Sequence, residues 1–258
     1  MKSLLIALAF AASMVVGSNA VAQPAKPTIV LVHGAFADAS SWNGVVKILQ
    51  KDGYSVIAAA NPLRGVKSDG DYIASLLADI KQPVVLVGHS YGGNVITSAA
   101  NGRPNVKALV YVSAFAPEEG ETAAGLSNKF PGSTLGQALA PPVALPDGGN
   151  DLYIVQSKFP AQFAADLPLA QATLMAVTQR PVTDTALNEK SGEAAWKAIP
   201  SWFIYGDHDK NIPPQTFPFM AKRAHAKEIK VIHGASHVVM VSNPEPVARM
   251  IESAATAK

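Results

Sequence analysis

The chain has 258 residues, 48% hydrophobic and 16% charged, enough to bury one substantial core. A formal charge of +2, with no Lys/Arg cluster on any predicted helix, argues against nucleic acid as a partner. There is no cysteine, which excludes disulfides, thiol catalysis and thiolate metal sites.

The first 22 residues stand apart. Lys2 gives a positive start, residues 4–16 form an apolar run, and Ala20-Val21-Ala22 offers a cleavage site before Gln23. This is the pattern of a secretory signal peptide, and its apolar run is shorter than the roughly 20 residues that span a bilayer. The expected product is a periplasmic or secreted domain over 23–258, with no membrane span once the leader is removed. Its oligomeric state is left open.

After a short linker, residues 28–32 form a continuous β-branched run that suits a strand buried on both faces. A helix is expected over 40–51, with Trp42, Val45, Val46 and Leu49 on one side and Gly53 at its end. A second strand (54–59), a helix from 69 or 70 to 80, a third strand (83–87), a helix over 94–100 and a fourth strand (106–112) follow. The alternation then pauses. Residues 115–199 are rich in Pro, Gly and Ala and hold no clear buried strand, with candidate helices near 160–166 and 169–178. They read as an inserted helical cap. A strand (201–205), a helix (215–224), a strand (228–232) and a closing helix (246–255) resume the pattern. Such alternation predicts an α/β fold, with a mostly parallel six-stranded sheet and helices on both faces.

Gly88-His89-Ser90-Tyr91-Gly92 is a G-x-S-x-G match. Alone it is weak, since composition gives about 0.1 chance matches in a chain this long. Here it follows a strand and opens a helix, the setting in which a tight turn presents a serine and points the next backbone N–H at an oxyanion. A serine hydroxyl needs a general base, itself oriented by a carboxylate, and in this topology the order is Ser, acid, His. Among six histidines, His237 lies just beyond the last strand at the carboxyl edge of the sheet, where ligands bind in open parallel sheets. His233, at the strand terminus, is the alternative, and His225 is expected to be solvated. The loop after the penultimate strand offers Asp207 and Asp209. Spacing does not separate them, and Glu118 and Glu119 are more distant choices. The second oxyanion donor is expected after the first strand, in His33-Gly34-Ala35-Phe36: the N–H of Ala35 or of Phe36, paired with that of Tyr91.

Four motifs in order then resemble the α/β-hydrolase superfamily: His33-Gly34-Ala35-Phe36, Gly88-His89-Ser90-Tyr91-Gly92, Gly206-x-x-Asp209-x-x-Ile212-Pro213 and Gly234-x-x-His237. The resemblance covers essentially the whole mature chain. It implies Asp209 as the acid, Ala35 as the oxyanion donor, no cofactor or metal, and a core sheet lacking the superfamily's first two strands. Within it, the chain is similar to the small carboxylesterase, methylesterase and hydroxynitrile lyase group. The lyases of that group carry a lysine after the catalytic histidine, where this chain has Val238, which argues against cyanohydrin cleavage. Ser90 in place of aspartate argues against dehalogenase or epoxide-hydrolase chemistry. The expectation is an exported serine esterase with catalytic Ser90, Asp209 and His237, acting on a small-molecule ester. Perhydrolase or haloperoxidase-like, lactonase and thioesterase activities are alternatives on the same triad, and a non-catalytic ligand-binding protein is a remoter one.

Trp42, Phe115, Phe130, Phe159, Phe163 and Met175 are candidates for either pocket or packing. Arg64 could meet an acidic substrate group or be a solvated loop residue. Residues 147–151 read as a polar turn, because they lack the spaced carboxylates of a calcium loop.

Overall fold

A computed structural model of the protein describes residues 26–146 and 148–257. The expected leader, residues 1–22, lies outside the described residues. β1 (Thr28–Val32), β2 (Val56–Ala59), β3 (Val84–His89), β4 (Val106–Val112), and, after the long insertion, two further strands form one six-stranded sheet. The insertion holds α4 (Ala123–Ser127), α5 (Leu135–Ala138), β5 (Val143–Ala144), β6 (Asn150–Leu152), α6 (Phe159–Phe163), α7 (Leu169–Thr178), β7 (Val182–Thr183) and α8 (Asp184–Asn188). The two later core strands are β8 (Ser201–Gly206) and β9 (Glu228–Ile232). The helices between core strands are α1 (Asn43–Lys51), α2 (Val66–Ala78), α3 (Gly92–Ala99) and α9 (Thr216–Arg223), and the chain closes with α10 (Val239–Ser242) and α11 (Pro244–Thr256).

The strand order is β2-β1-β3-β4-β8-β9, and every pairing in this sheet is parallel. β1 and β3 are buried along their whole length, as strands covered on both faces must be. The chain first steps from β1 to β2 in one direction, then crosses back to β3 on the other side of β1. Right-handed crossovers in opposite directions put their helices on opposite faces. The loops after β1 and β3 therefore part at the reversal, the place where open α/β sheets bind ligands.

Two helices begin where the sequence pattern alone does not put them. The stretch expected as one helix over 40–51 opens instead with a 3-10 turn, Ala39–Trp42, because the Asp38 carboxylate accepts the Ser40 N–H at 2.7 Å and tightens the entry. α2 starts at Val66, ahead of the expected residue 69 or 70. Its first N–H groups, on Val66 and Lys67, are capped by the Glu189 carboxylate, which arrives from 122 or more residues away. The insertion is mostly helical, but β5, β6 and β7 also pair antiparallel into a small sheet that the sequence of residues 143–183 does not suggest. Among the described residues no helix is long and apolar enough to cross a membrane.

Candidate active site

Ser90 opens the turn between β3 and α3 with φ +53°, a left-handed conformation that a non-glycine residue adopts only under constraint. The constraint is visible: its N–H donates to Ser113 O and its carbonyl accepts from Gly93 and Phe115 N–H. The loop after β1 is drawn against this turn at Gly34, where a Cβ would come within 2.6 Å of both Ser90 Cβ and His89 O. Phe36, also at positive φ, donates its N–H to Arg180 O at 3.0 Å. That bond commits the Phe36 donor. The N–H groups of Ala35 and Tyr91 carry no hydrogen bond among the described residues, and both residues line the same cavity as Ser90.

His33 fixes the Ala35 loop from behind. Asn61 N–H donates to His33 Nε2 at 3.1 Å, Asn61 Nδ2 donates to His33 O at 2.9 Å, and His33 Nδ1 donates to Gly34 O at 3.0 Å. Burial pushes its pKa down to about 4, so the ring is neutral and keeps the bare nitrogen that Asn61 needs. Tyr91 is fixed likewise: its hydroxyl donates to the buried Asp69 carboxylate at 3.0 Å. Burial raises the pKa of Asp69, while hydrogen bonds from Arg64 N–H and Tyr91 oppose that rise.

The two loops beyond β8 and β9 meet at Gly206, where a Cβ would collide with Ala235 O. This contact sets His237 against Asp209: Nδ1 lies 2.6 Å from Oδ2, with the two side chains 1% and 0% exposed. The other carboxylate oxygen of Asp209 accepts the N–H groups of Asn211 at 2.8 Å and Ile212 at 3.0 Å. A buried carboxylate with this many donors is held in one orientation. Asp207 points elsewhere and pairs with His233 at 2.7 Å. His225, at a helix end, is exposed.

The His237 ring is packed by Phe163, edge-on at 5.0 Å, and by His89 at 4.7 Å. His89 Nε2 donates to the His237 carbonyl at 3.2 Å, and burial drives its pKa well below the ordinary histidine range. His237 therefore has a neutral neighbour and not a competing cation. Ser90 and His237 line one cavity of about 200 Å³, without a hydrogen bond between them among the described residues. Such contacts often close only when substrate is bound.

Two of the aromatic candidates, Phe115 and Phe163, line this cavity; Trp42 and Phe159 are core, Phe130 packs on Phe219, and Met175 lies in a separate surface groove. Leu135, Leu139 and Leu187 of the insertion also line it, and among the described residues no lysine, arginine or carboxylate does. Arg64 neither faces the cavity nor stands free. It pairs with Asp151 at 2.6 Å and donates to Pro181 O, tying the β2 loop to the insertion. Asn150 and Asp151, expected in a polar turn, instead open strand β6 and are engaged with Asp184 and Arg64; among the described residues no cluster of three metal-ligating side chains occurs. The residues that sequence reasoning missed, Asn61, Asp69, Asn211 and Gln162, act through long-range polar contacts that leave no period in the chain.

A family model described as the alpha/beta hydrolase family matches residues 29–250. The chain belongs to this family. It is 26% identical over 253 residues to an alpha-hydroxynitrile lyase of Arabidopsis thaliana, covering 90% of this chain and 98% of that protein. It is 23% identical over 245 residues to polyneuridine aldehyde esterase of Rauvolfia serpentina, covering 86% and 93%. The crystal structure of a polyneuridine aldehyde esterase superposes with a TM-score of 0.76 at 19% identity, over 88% of this chain and 98% of that one, a likeness of fold. Among the curated proteins, the chain is thus similar to esterases and to a hydroxynitrile lyase.

Proposed function

We propose that the protein is an exported serine hydrolase that cleaves small or medium, uncharged carboxylic esters through an acyl-enzyme on Ser90. One observation carries the reading: a strained serine shares a cavity with a histidine whose far nitrogen is held by a buried, fully bonded aspartate. His237 Nε2 takes the Ser90 proton as Oγ attacks the ester carbonyl carbon. The uncommitted N–H groups of Ala35 and Tyr91 receive the oxyanion, each worth about 3 kcal/mol of transition-state stabilisation. Asp209 stabilises the charged ring, which returns the proton to the departing alcohol. A water, deprotonated by the same ring, then attacks the acyl-enzyme, releasing the acid and regenerating Ser90. A mostly apolar lining, with no lysine or arginine among the described residues, favours uncharged acyl and alcohol groups. The leader pattern of residues 1–22 supports export, and amino-terminal sequencing of the exported protein should begin at or near Gln23.

The 26% identity to a hydroxynitrile lyase favours a second reading, cyanohydrin cleavage at the same site. Against it, Val238 beside the histidine is apolar and fully buried, and among the described residues no lysine or arginine lines the cavity to receive cyanide. An ester panel graded by acyl length and alcohol bulk, run beside a cyanohydrin and with Ser90→Ala as control, tests both. Ser90-dependent ester turnover is expected. Tight ligand binding without turnover of any substrate would instead point to a binding protein.

A further inference from the structure

Gln162, in the five-residue helix α6, is a buried polar side chain whose every hydrogen-bonding group is used. Its Oε1 accepts from Thr134 Oγ1 at 2.8 Å, and its Nε2 donates to Lys210 O at 2.9 Å and Asn211 Oδ1 at 3.1 Å. Asn211 Nδ2 returns a bond to Gln162 O at 3.3 Å. The Asn211 carbonyl accepts from Ser127 Oγ at 2.9 Å and Ser133 Oγ at 3.0 Å, both in the insertion. The Asn211 N–H donates to Asp209 Oδ1, and Asp209 Oδ2 holds His237 Nδ1. Three parts of the insertion thus converge on the residue that braces the carboxylate, and Gln162 makes the reciprocal pair.

We propose that Gln162 is a positioning residue for the hydrolysis: from the cap it locks Lys210 and Asn211 so that the Asn211 N–H fixes the rotation of Asp209, and through it the His237 ring. This rests on the triad reading above. Burying an amide with three satisfied side-chain bonds has no advantage over a leucine for packing alone, and a fully connected polar network specifies one geometry. Gln162 does not line the cavity, so its loss leaves the substrate's own contacts intact. A displacement of about 1 Å in catalytic geometry can cost about a hundredfold in rate.

The test compares Gln162→Leu with the unaltered protein, in otherwise native and Asp209→Ala backgrounds, by kcat and KM on a hydrolysed ester and by the rate at which a fluorophosphonate labels Ser90. Expected is a loss of about tenfold to a hundredfold in kcat, a KM within about twofold, and a matching loss in labelling. In the Asp209→Ala background Gln162→Leu should be silent, because the group it acts through is gone. A folded Gln162→Leu protein with native kcat overturns the proposal, as does an equal loss in both backgrounds, which marks general damage to the cap. Should Gln162→Leu fail to fold, Thr134→Val removes one bond to Gln162 from a partly exposed site; a smaller kcat loss, again silent without Asp209, supports the proposal, and no loss overturns it. If Ser90→Ala retains turnover, or Asp209→Ala costs nothing, the triad reading itself fails. If both are damaging and Gln162→Leu is silent, only the role of Gln162 fails.

Discussion

Two aspartate–histidine pairs bridge the same two loops. Asp209 and His237 lie 2.6 Å apart, and Asp207 and His233 lie 2.7 Å apart. By residue type and distance they are equivalent. They differ in surroundings: the first pair is sealed from solvent, whereas His233 is 86% exposed and Asp207 32%. The first faces Ser90 across a cavity, backed by Phe163 and His89, and its carboxylate takes two further N–H bonds. In the second, the hydrogen bond from His233 and that from Gly234 N–H hold the Asp207 carboxyl below its usual range, and the pair does no more than close the turn. An aspartate–histidine contact becomes a candidate relay only where burial removes the competition of water and a nucleophile stands within reach.

The largest expected effect tests this contrast directly. His237→Ala should lower ester turnover by about 10⁶-fold, as loss of the base does in serine hydrolases, while His233→Ala stays within about twofold. Steady-state kinetics on one ester read both, and similar losses in the two variants would break the distinction. Asp209→Asn should cost about 10⁴-fold, because an amide no longer selects the ring orientation or stabilises its charge, while Asp207→Asn leaves kcat nearly unchanged.

Stability against acid comes next. His33 has a folded pKa of about 4 against an ordinary value of 6.5, and burial shifts His89 in the same direction. Below pH 6.5 the unfolded chain takes up these protons first, so stability is full above that pH and falls as pH drops toward 4. His33 alone accounts for about 3 kcal/mol of this loss. Denaturant unfolding of His33→Gln across the window should show a flatter profile than that of the native protein. The smallest effect belongs to the exposed pair: a double-mutant cycle on Asp207 and His233 should give under about 1 kcal/mol, shrinking in high salt.

Much of the framework was legible in the chain. The unbroken apolar run of β1, and the strand–helix alternation that placed β4 and β9, were read over the bounds observed, because buried strands leave a pattern in the sequence. The loops carrying Ser90, Asp209 and His237 could be assigned to one sheet edge because the alternation of strands and helices fixes which ends of the strands they leave. What stayed hidden depends on polar side chains meeting across long separations. Glu189 caps α2, Arg64 meets Asp151, and Gln162 grips Asn211, and none of these pairs has a local signature. The strands β5, β6 and β7 hold two or three residues each, too few to show alternation. The partner of Asp207 was hidden for the same reason. It is His233, 26 residues further along the chain.

The most direct test of the central claim is intact-mass analysis after treatment with a fluorophosphonate. One adduct should form on the native protein and map to Ser90. It should be absent from Ser90→Ala, slow in His237→Ala and Asp209→Asn, and formed at the native rate in His233→Ala and Asp207→Asn. A folded native protein that takes no label and hydrolyses no ester, or one that labels equally well without Ser90, would contradict the account.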